Sequence, residues 1–599
     1  MKLNITLSKV KSGLGKLRFP VLALALLTSC DPDLLDTEPY GSVASGNMWT
    51  TDNLTNLGMT GVYHGLRLGI NTGDASNREL YHYDRLGMSG QPRGADAFLT
   101  GTVTVSNGTA SSVWSELYEG IHRANDAIKN IALKSPSSAE KKARYTAEAK
   151  FLRAYYYFRL NQLFKGVPVY LEPVSLDELT KGRETEEKVW EQVIADLTDA
   201  INEPALPLKY AKGNTNFGHV TKGAAYALRG KAYMYTKQWQ LAVTDFQNVK
   251  TAGYKLFTDA GADSYRLLFK LANEQSDEMI FSIQHMDQSG YGSTTQFFCG
   301  NRSSAGSCWN IFLISPDVVE LYENKDGSKF NWDKIIPGYS AMPVNKREVY
   351  FLRNNLTAAE ITAMTAKGLD MSLYLPTGNE QRVLQAYENR DLRLKANVIT
   401  PYSDYNGITP TISRWPYRTT SNTVIPDLRT DTGNLFYYLH RKFVYEGAAG
   451  VEIVNRAYGP IDFPLIRYAD VLLMWAEALN ELGSTTEATA LVNEVRARAG
   501  IALLNSSAAT TVTGQADLRQ RIRNERRVEF VNEGIDYFDE LRWQSLKESV
   551  FYTGNGVKQI WGTVVTPYIW QGDYLYKWPV PQVEIERNSN LLQNPGWQN

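Results

Sequence analysis

Histidine and cysteine are scarce in this 599-residue chain, six of the first and three of the second. That scarcity removes most metal and thiol chemistry. His64, His82, His122, His219, His285 and His440 are scattered, and none falls in an H-E-x-x-H or other metal-spaced group. The chain has no G-x-S-x-G nucleophile elbow and no P-loop. It also lacks a charge excess of either sign, with 63 Lys and Arg against 64 Asp and Glu. A nucleic-acid surface carries a basic excess, so nucleic acid is not an expected partner. Asn324-Lys325-Asp326-Gly327 has the outline of a calcium loop. With Gly327 at position six, however, positions one and twelve are Tyr322 and Asp333 where calcium needs Asp and Glu. A plain Asp-Gly turn is expected there. Carboxylate pairs for glycoside hydrolysis are defined by a separation of about 5 to 9.5 Å in the fold, and spacing singles out none of the 64 acidic residues. No enzyme activity, cofactor or metal is expected.

What is present begins with an export leader. Lys2, Lys9, Lys11, Lys16 and Arg18 precede an apolar segment over 19–27, followed by small residues up to a lone Cys30, the order of a secretory signal. A membrane span needs about twenty apolar residues, and this segment is about half that length. Leu27-Thr28-Ser29-Cys30 resembles the bacterial lipobox, in which the thiol is acylated and becomes the first residue of the mature protein. Residues 1–29 are then a lipoprotein signal peptide and Cys30 the lipidation site. One acyl chain binds a membrane only marginally, while two or three anchor stably. Asp31 and Asp33 directly after the cysteine resemble the export tag of Bacteroidetes-type surface lipoproteins. The expected location is the outer membrane, lipid-anchored and facing the cell exterior. The remaining cysteines, Cys299 and Cys308, lie in a Gly/Ser-rich loop of an exported chain, where a disulfide is expected. In the chain-entropy account so short a loop contributes about 2 to 3 kcal/mol, mostly as local rigidity.

The helical signal is strong at both ends of the chain. A first helix is predicted over 53–68, then a long loop over 71–109. Trp114, Leu117, Tyr118, Ile121, Ala124, Ile128 and Ile131 follow at amphipathic spacing. A partner helix over 138–164 stops at Gly166 and Pro168, and further helices are predicted over 184–202, 220–236 and 238–252. Gly230, Tyr233, Ala242 and Phe246 stand at offsets of three, nine and four, and the same offsets recur at Ala476, Leu479, Ala488 and Val492. This is the spacing of small and aromatic positions in a tetratricopeptide repeat. The predicted fold is mostly α, a tetratricopeptide-like helical-repeat scaffold with a long, irregular, loop-rich insertion carrying the ligand face. Its expected divisions are a helical-repeat half over 30–253 and a second half over 254–599. The second half comprises the insertion (254–459), returning repeat helices from Pro464 (460–545) and an irregular tail (546–599). Within the insertion Met279-Ile280-Phe281-Ser282-Ile283 reads as a strand.

Several motifs then coincide. Glu148-Ala149-Lys150-Phe151-Leu152-Arg153-Ala154-Tyr155-Tyr156-Tyr157, followed by Gly166-Val167-Pro168-Val169, resembles the N-terminal half of the SusD/RagB lipoproteins. Arg390-Asp391-Leu392-Arg393, Ile466-Arg467-Tyr468-Ala469-Asp470, Val495-Arg496-Ala497-Arg498-Ala499-Gly500 and Glu525-Arg526-Arg527-Val528-Glu529-Phe530 continue the likeness. Pro579-Val580-Pro581-Gln582 and Asn594-Pro595-Gly596-Trp597 carry it to the end. The resemblance implies a surface nutrient-binding lipoprotein without catalytic activity, partnered with a SusC-like TonB-dependent transporter and capturing oligosaccharides, or peptides in some members. A structural partner of the transporter that binds no ligand is a third alternative. Most of these motifs read as scaffold. Glu525, Arg526, Arg527 and Glu529 lie on one helix with opposite charges three or four apart, which predicts an intrahelical ion-pair network.

In that family the ligand site resembles a shallow aromatic arc on variable loops. The chain is rich in aromatics, with 35 Tyr and 13 Trp. Two non-periodic stretches concentrate them. One is 81–98, with Tyr81 and Tyr83; the other is 291–339, with Tyr291, Phe298, Trp309, Trp332 and Tyr339, and Asn301 and Arg302 between them. A pyranose needs a flat aromatic for its apolar face and fixed amide or guanidinium donors for its hydroxyls. Trp309, beside Cys308, is the leading candidate, since a stiffened loop loses less entropy on binding.

Overall fold

The computed structural model describes residues 48–70, 79–407, 412–414, 435–447 and 452–597. The leader, Cys30, Asp31 and Asp33 lie outside the described residues, as do residues 71–78 of the first long loop.

The longer helices follow the predicted periods. In the first half they are α1 (Asp52–His64), α2 (Gly108–Lys134), α3 (Ala139–Phe164), α4 (Glu186–Asn202), α5 (Lys222–Tyr235) and α6 (Trp239–Thr251). Asn107, Ser138, Thr185 and Thr221 each cap the following helix by accepting an amide of its first turn. Consecutive helices pack on one another, α2 on α3, α3 on α4 and α5 on α6. Small residues set how closely they approach. A Cβ at Gly230 would stand 2.5 Å from the Phe246 ring, and one at Gly120 would stand 2.8 Å from the Tyr156 ring. After the insertion come α7 (Tyr468–Glu481), α8 (Thr485–Ala499), α9 (Gln515–Glu529) and α10 (Asp536–Trp543). Helix α7 packs on α6 as well as on α8 and α9, so the returning helices extend the same stack. The fold is mostly α and tetratricopeptide-like, as the repeat offsets predict.

The insertion is closed at its base by a short antiparallel pair. Met279–Ile283 is a strand, as predicted, and it pairs with Phe463–Arg467, Met279 opposite Arg467 and Ile283 opposite Phe463. Helical structure therefore resumes at Tyr468 and not at Pro464. Proline has no N–H to give to a helix or a ladder, and it is accommodated where a strand has one neighbour. The insertion adds a second core in which Trp332, Tyr339, Tyr387, Tyr438 and Trp561 are buried together. Asn324 to Gly327 forms the expected turn, with the Gly327 amide donating to the Asn324 carbonyl at 2.8 Å and φ +77 at Gly327.

Glu525, Arg526, Arg527 and Glu529 of α9 pair between elements, which corrects the intrahelical expectation. Glu529 accepts from Arg467 at 2.7 Å, Arg393 at 2.8 Å and Arg498. Glu525 takes Arg393 at 2.7 Å and Arg496 at 2.9 Å, while Arg526 meets Asp470 at 2.8 Å and Arg527 meets Glu540 at 2.6 Å. Arg467 also holds Glu278 at 2.9 Å and Glu533 at 2.7 Å, tying the closing strand to α9. Burial alone would raise the Glu529 carboxyl, but Arg498, Arg467 and Arg393 together hold it far below the carboxylate range. Helical spacing shows which charges share α9; which elements its side chains reach depends on how the helices are stacked.

Candidate functional site

The 291–311 loop is built on buried polar clamps. The Glu79 carboxylate accepts from the Thr294 amide at 2.7 Å, the Thr294 hydroxyl at 2.9 Å and the Ser293 hydroxyl at 2.8 Å. Burial nonetheless raises its pKa. Tyr81 hydroxyl meets Thr294 hydroxyl at 2.8 Å. Gln296 accepts the Tyr445 amide at 2.8 Å and donates to the Ala305 carbonyl at 3.4 Å. Backbone bonds then fold the loop on itself. The Trp309 amide donates to the Phe297 carbonyl at 2.8 Å, Cys308 to Asn301 at 3.1 Å, Asn310 to Gly300 at 2.9 Å and Ile311 to Phe298 at 2.8 Å.

These bonds replace the expected disulfide. Cys299 and Cys308 are free and buried, because their thiols point to different partners, Cys299 to Asn532 at 3.5 Å and Cys308 to the Ala305 carbonyl at 3.3 Å. Burial pushes the Cys299 thiol well up and the Cys308 thiol to about 12, so both stay protonated and unreactive.

The loop presents Trp309 to solvent. Its side chain is 43% exposed, and its ring lies 4.6 Å from that of Phe297, which is backed in turn by Phe298 at 4.8 Å. Tyr291 is 50% exposed, on a neighbouring turn stapled by Arg67. That guanidinium donates to the Gln284 carbonyl at 3.1 Å and the Gly292 carbonyl at 3.0 Å. The His285 amide donates to Asp462 at 2.7 Å. Burial and the neighbouring Glu274 raise Asp462 to about 8, while burial lowers His285 to about 3, with Arg67 adding to the shift. The strip 452–459 touches both turns. Ser293 bridges Gly459, a Cβ on Gly292 would lie 2.3 Å from Tyr458, and Arg456 donates to the Gly306 carbonyl at 2.7 Å and to that of Ser307.

Of the residues expected at the site, Trp309, Tyr291 and Arg302 are exposed. The others are core. Tyr81 and Tyr83 pack beneath, with Tyr83 5.0 Å from Phe538. Phe298 and Asn301 are wholly buried, the latter accepting the Ser303 amide at 2.8 Å. Trp332 stacks on Tyr339 at 4.8 Å inside the second core, its indole donating to Glu320 at 3.1 Å. Those six side chains shape or support the face without lining it. Sequence reasoning missed Arg93, whose guanidinium donates to the Trp309 carbonyl at 2.8 Å, and Arg456, which lies 4.5 Å over the Phe297 ring. A larger cleft of about 920 Å³ opens elsewhere, between α2, the 168–179 segment and the short helix Gln582–Arg587, with Trp114, Tyr118, Tyr170 and Leu591 among its walls. Among the described residues no group of three or more His, Cys, Asp or Glu is placed to hold a metal ion.

Comparison with known proteins bears on the whole length. A family model described as the SusD family matches residues 277–597, and one described as "Starch-binding associating with outer membrane" matches residues 70–234. A SusD-like protein of Formosa agariphila is 25% identical over 559 residues, covering 90% of this chain and 93% of that one. The starch-binding protein SusD of Bacteroides thetaiotaomicron is 25% identical over 486 residues, covering 76% of this chain and 73% of that one. The solved structure of a SusD-like carbohydrate binding protein from Bacteroides fragilis has the same fold, with a TM-score of 0.71 at 23% identity over 91% of this chain and 100% of that one.

Proposed function

The chain belongs to the SusD family, and from that premise we propose that it is a cell-surface lipoprotein that binds oligosaccharide or polysaccharide nutrients on the Trp309 face. Delivery to a SusC-like TonB-dependent outer-membrane transporter, and anchoring through Cys30, belong to the same proposal. The observation that carries it is the placement of Trp309. Trp309, 43% exposed, seated on Phe297 and held at its amide by the Phe297 carbonyl and at its carbonyl by Arg93, is a flat apolar plate fixed before a ligand arrives. Such a plate suits the apolar face of a sugar, and its rigidity lowers the ordering cost of binding. The role is binding without catalysis, in line with the binding proteins among its relatives.

A peptide ligand has one observation in its favour. Met286 and Val454 are 52% and 69% exposed near Tyr291, joined through the bond from the Val454 amide to Asp287 at 2.8 Å, and apolar side chains of a peptide would pack on them. A glycan array and a peptide mixture, run with wild type and Trp309→Ala, separate the readings. The exposed part of Trp309 amounts to about 100 Å², and covering about half of it is worth on the order of 1.5 kcal/mol. The variant is expected to bind glycan about tenfold more weakly with unchanged circular dichroism. Glycan binding unaffected by the substitution refutes the site; retention of peptides only refutes the glycan.

A further inference from the structure

We propose that the glycan taken by this face is acidic, carrying carboxylate or sulfate groups on the sugar that lies against Trp309; the inference rests on the glycan reading of the same face. The chain as a whole is nearly neutral, 63 basic against 64 acidic residues, so two arginines bonded to the stretch that carries the exposed tryptophan, with a third exposed in the same loop, are a local feature. Arg93 donates to the Trp309 carbonyl at 2.8 Å, and Arg456 donates to the Gly306 carbonyl at 2.7 Å and the Ser307 carbonyl. Two guanidinium groups thus stand at the two ends of the 306–309 stretch, and Arg302 is exposed in the same loop.

The balance of charge on the face is set by what the arginines do not meet. Among the described residues, Arg302 and Arg456 form no ion pair, whereas Arg467, Arg393 and Arg498 in the core each meet carboxylates within 3.0 Å. Arg456 uses Nη1 for its two carbonyls. A guanidinium carries five donor hydrogens on three nitrogens, so among the described residues Nη2 and Nε have no partner and are left for a ligand. The acidic groups on the adjoining turns are directed elsewhere. Asp287 accepts the Val454 amide at 2.8 Å, and Glu446 meets Arg441 at 2.8 Å. A guanidinium only donates, and its planar fork matches the two oxygens of a carboxylate or sulfate better than a lone sugar hydroxyl. An aromatic plate bordered by such forks recognises a ring with one apolar face and an anionic substituent at its rim.

The test uses the full chain and four polysaccharides: polygalacturonate, the same polymer with its carboxyls reduced, a sulfated galactan, and that galactan after desulfation. Binding is followed by titration calorimetry at about 0.1 M and about 1 M salt, between which the screening length falls from about 10 to about 3 Å. The expected result is binding of a charged polymer in preference to its uncharged counterpart, weakening with salt; which charged polymer binds identifies carboxylate or sulfate. Among the described residues Arg302 makes no hydrogen bond or ion pair, so Arg302→Gln should weaken that binding about twofold to fivefold at an unchanged thermal midpoint, with Arg302→Lys restoring most of it. Equal or better binding of the uncharged polymers, or no effect of Arg302→Gln, overturns the acidic-ligand inference and leaves the glycan reading standing. No binding of any of the four by folded wild type, nor of any glycan on an array, overturns the glycan reading and this inference with it.

Discussion

Glu529→Gln is the substitution that tests whether the buried ionic network holds the closing strand, the insertion and α9 together. Glu529 is fully buried, with one oxygen accepting from Arg467 and Arg498 and the other from Arg393. The amide is almost the same size, so packing is preserved. What changes is that one acceptor becomes a donor facing guanidinium donors, and three cations lose a shared counter-charge. Removing one partner of a buried pair costs about 3 to 5 kcal/mol, a fifth or more of the stability of a typical fold at about 5 to 15 kcal/mol. Lys188 and Glu191 provide the contrast: their contact is as short, 2.6 Å, but the side chains are 61% and 63% exposed, so Lys188→Ala should leave the urea midpoint essentially where it is in wild type. Urea unfolding followed by both tryptophan fluorescence and circular dichroism measures the two variants side by side. If Glu529→Gln costs less than about 0.5 kcal/mol, within the range of ordinary surface changes, the network does not couple the closing strand to α9 and the argument for it fails.

Asp462 gives a pH-dependent prediction. Its folded pKa is raised to about 8 by burial and Glu274, so its protonated form stabilises the fold below the unfolded carboxylate value near 4, and that contribution is lost as pH rises toward 8. Asp462→Asn keeps an oxygen for the His285 amide and removes the titration. The variant should be more stable than wild type by about 1 to 3 kcal/mol at pH 8, with the difference closing near pH 4; a pH-independent difference in denaturation midpoint would sink this. The two loop thiols should stay unmodified by iodoacetamide in the folded protein, and a reducing agent should leave the thermal midpoint unchanged. A downward shift on reduction would restore the disulfide.

Most of the scaffold was legible because helical structure repeats over short distances in sequence. The period of Trp114 to Ile131 places α2, and the small residues at Gly230 and Ala242 mark where helices touch. The site was legible only in part. Trp309 and Tyr291 stand out as aromatics in non-periodic loops, but so do Trp332 and Tyr339, and nothing local separates an exposed ring from one that closes a second core. Arg456 lies about 150 residues beyond the loop it holds, and the disulfide expectation failed because cysteine spacing does not show where thiols point. The helix charges misled in the same way: spacing along α9 is correct, while the partners come from α7, α8, α10 and the 390–393 segment.

This division between local and distant determinants follows from how the face is assembled. Trp309, Tyr291, Arg93 and Arg456 come from segments separated by up to several hundred residues, and no short-range interaction brings them together. Their positions depend on the strand pair Met279–Ile283 with Phe463–Arg467, which places 284–292 beside 452–459. Arg467 at the end of that pair is held by Glu278, Glu529 and Glu533. A change in the network should therefore reach the face through geometry: loosening Arg467 lets the two turns separate, and Trp309 and Arg456 lose their register without either being altered. Substitutions on the face itself, such as at Arg302, should change what is bound and leave the stack intact. On the proposed reading, stability is carried by buried charges between helices and recognition by exposed rings and guanidinium groups on loops.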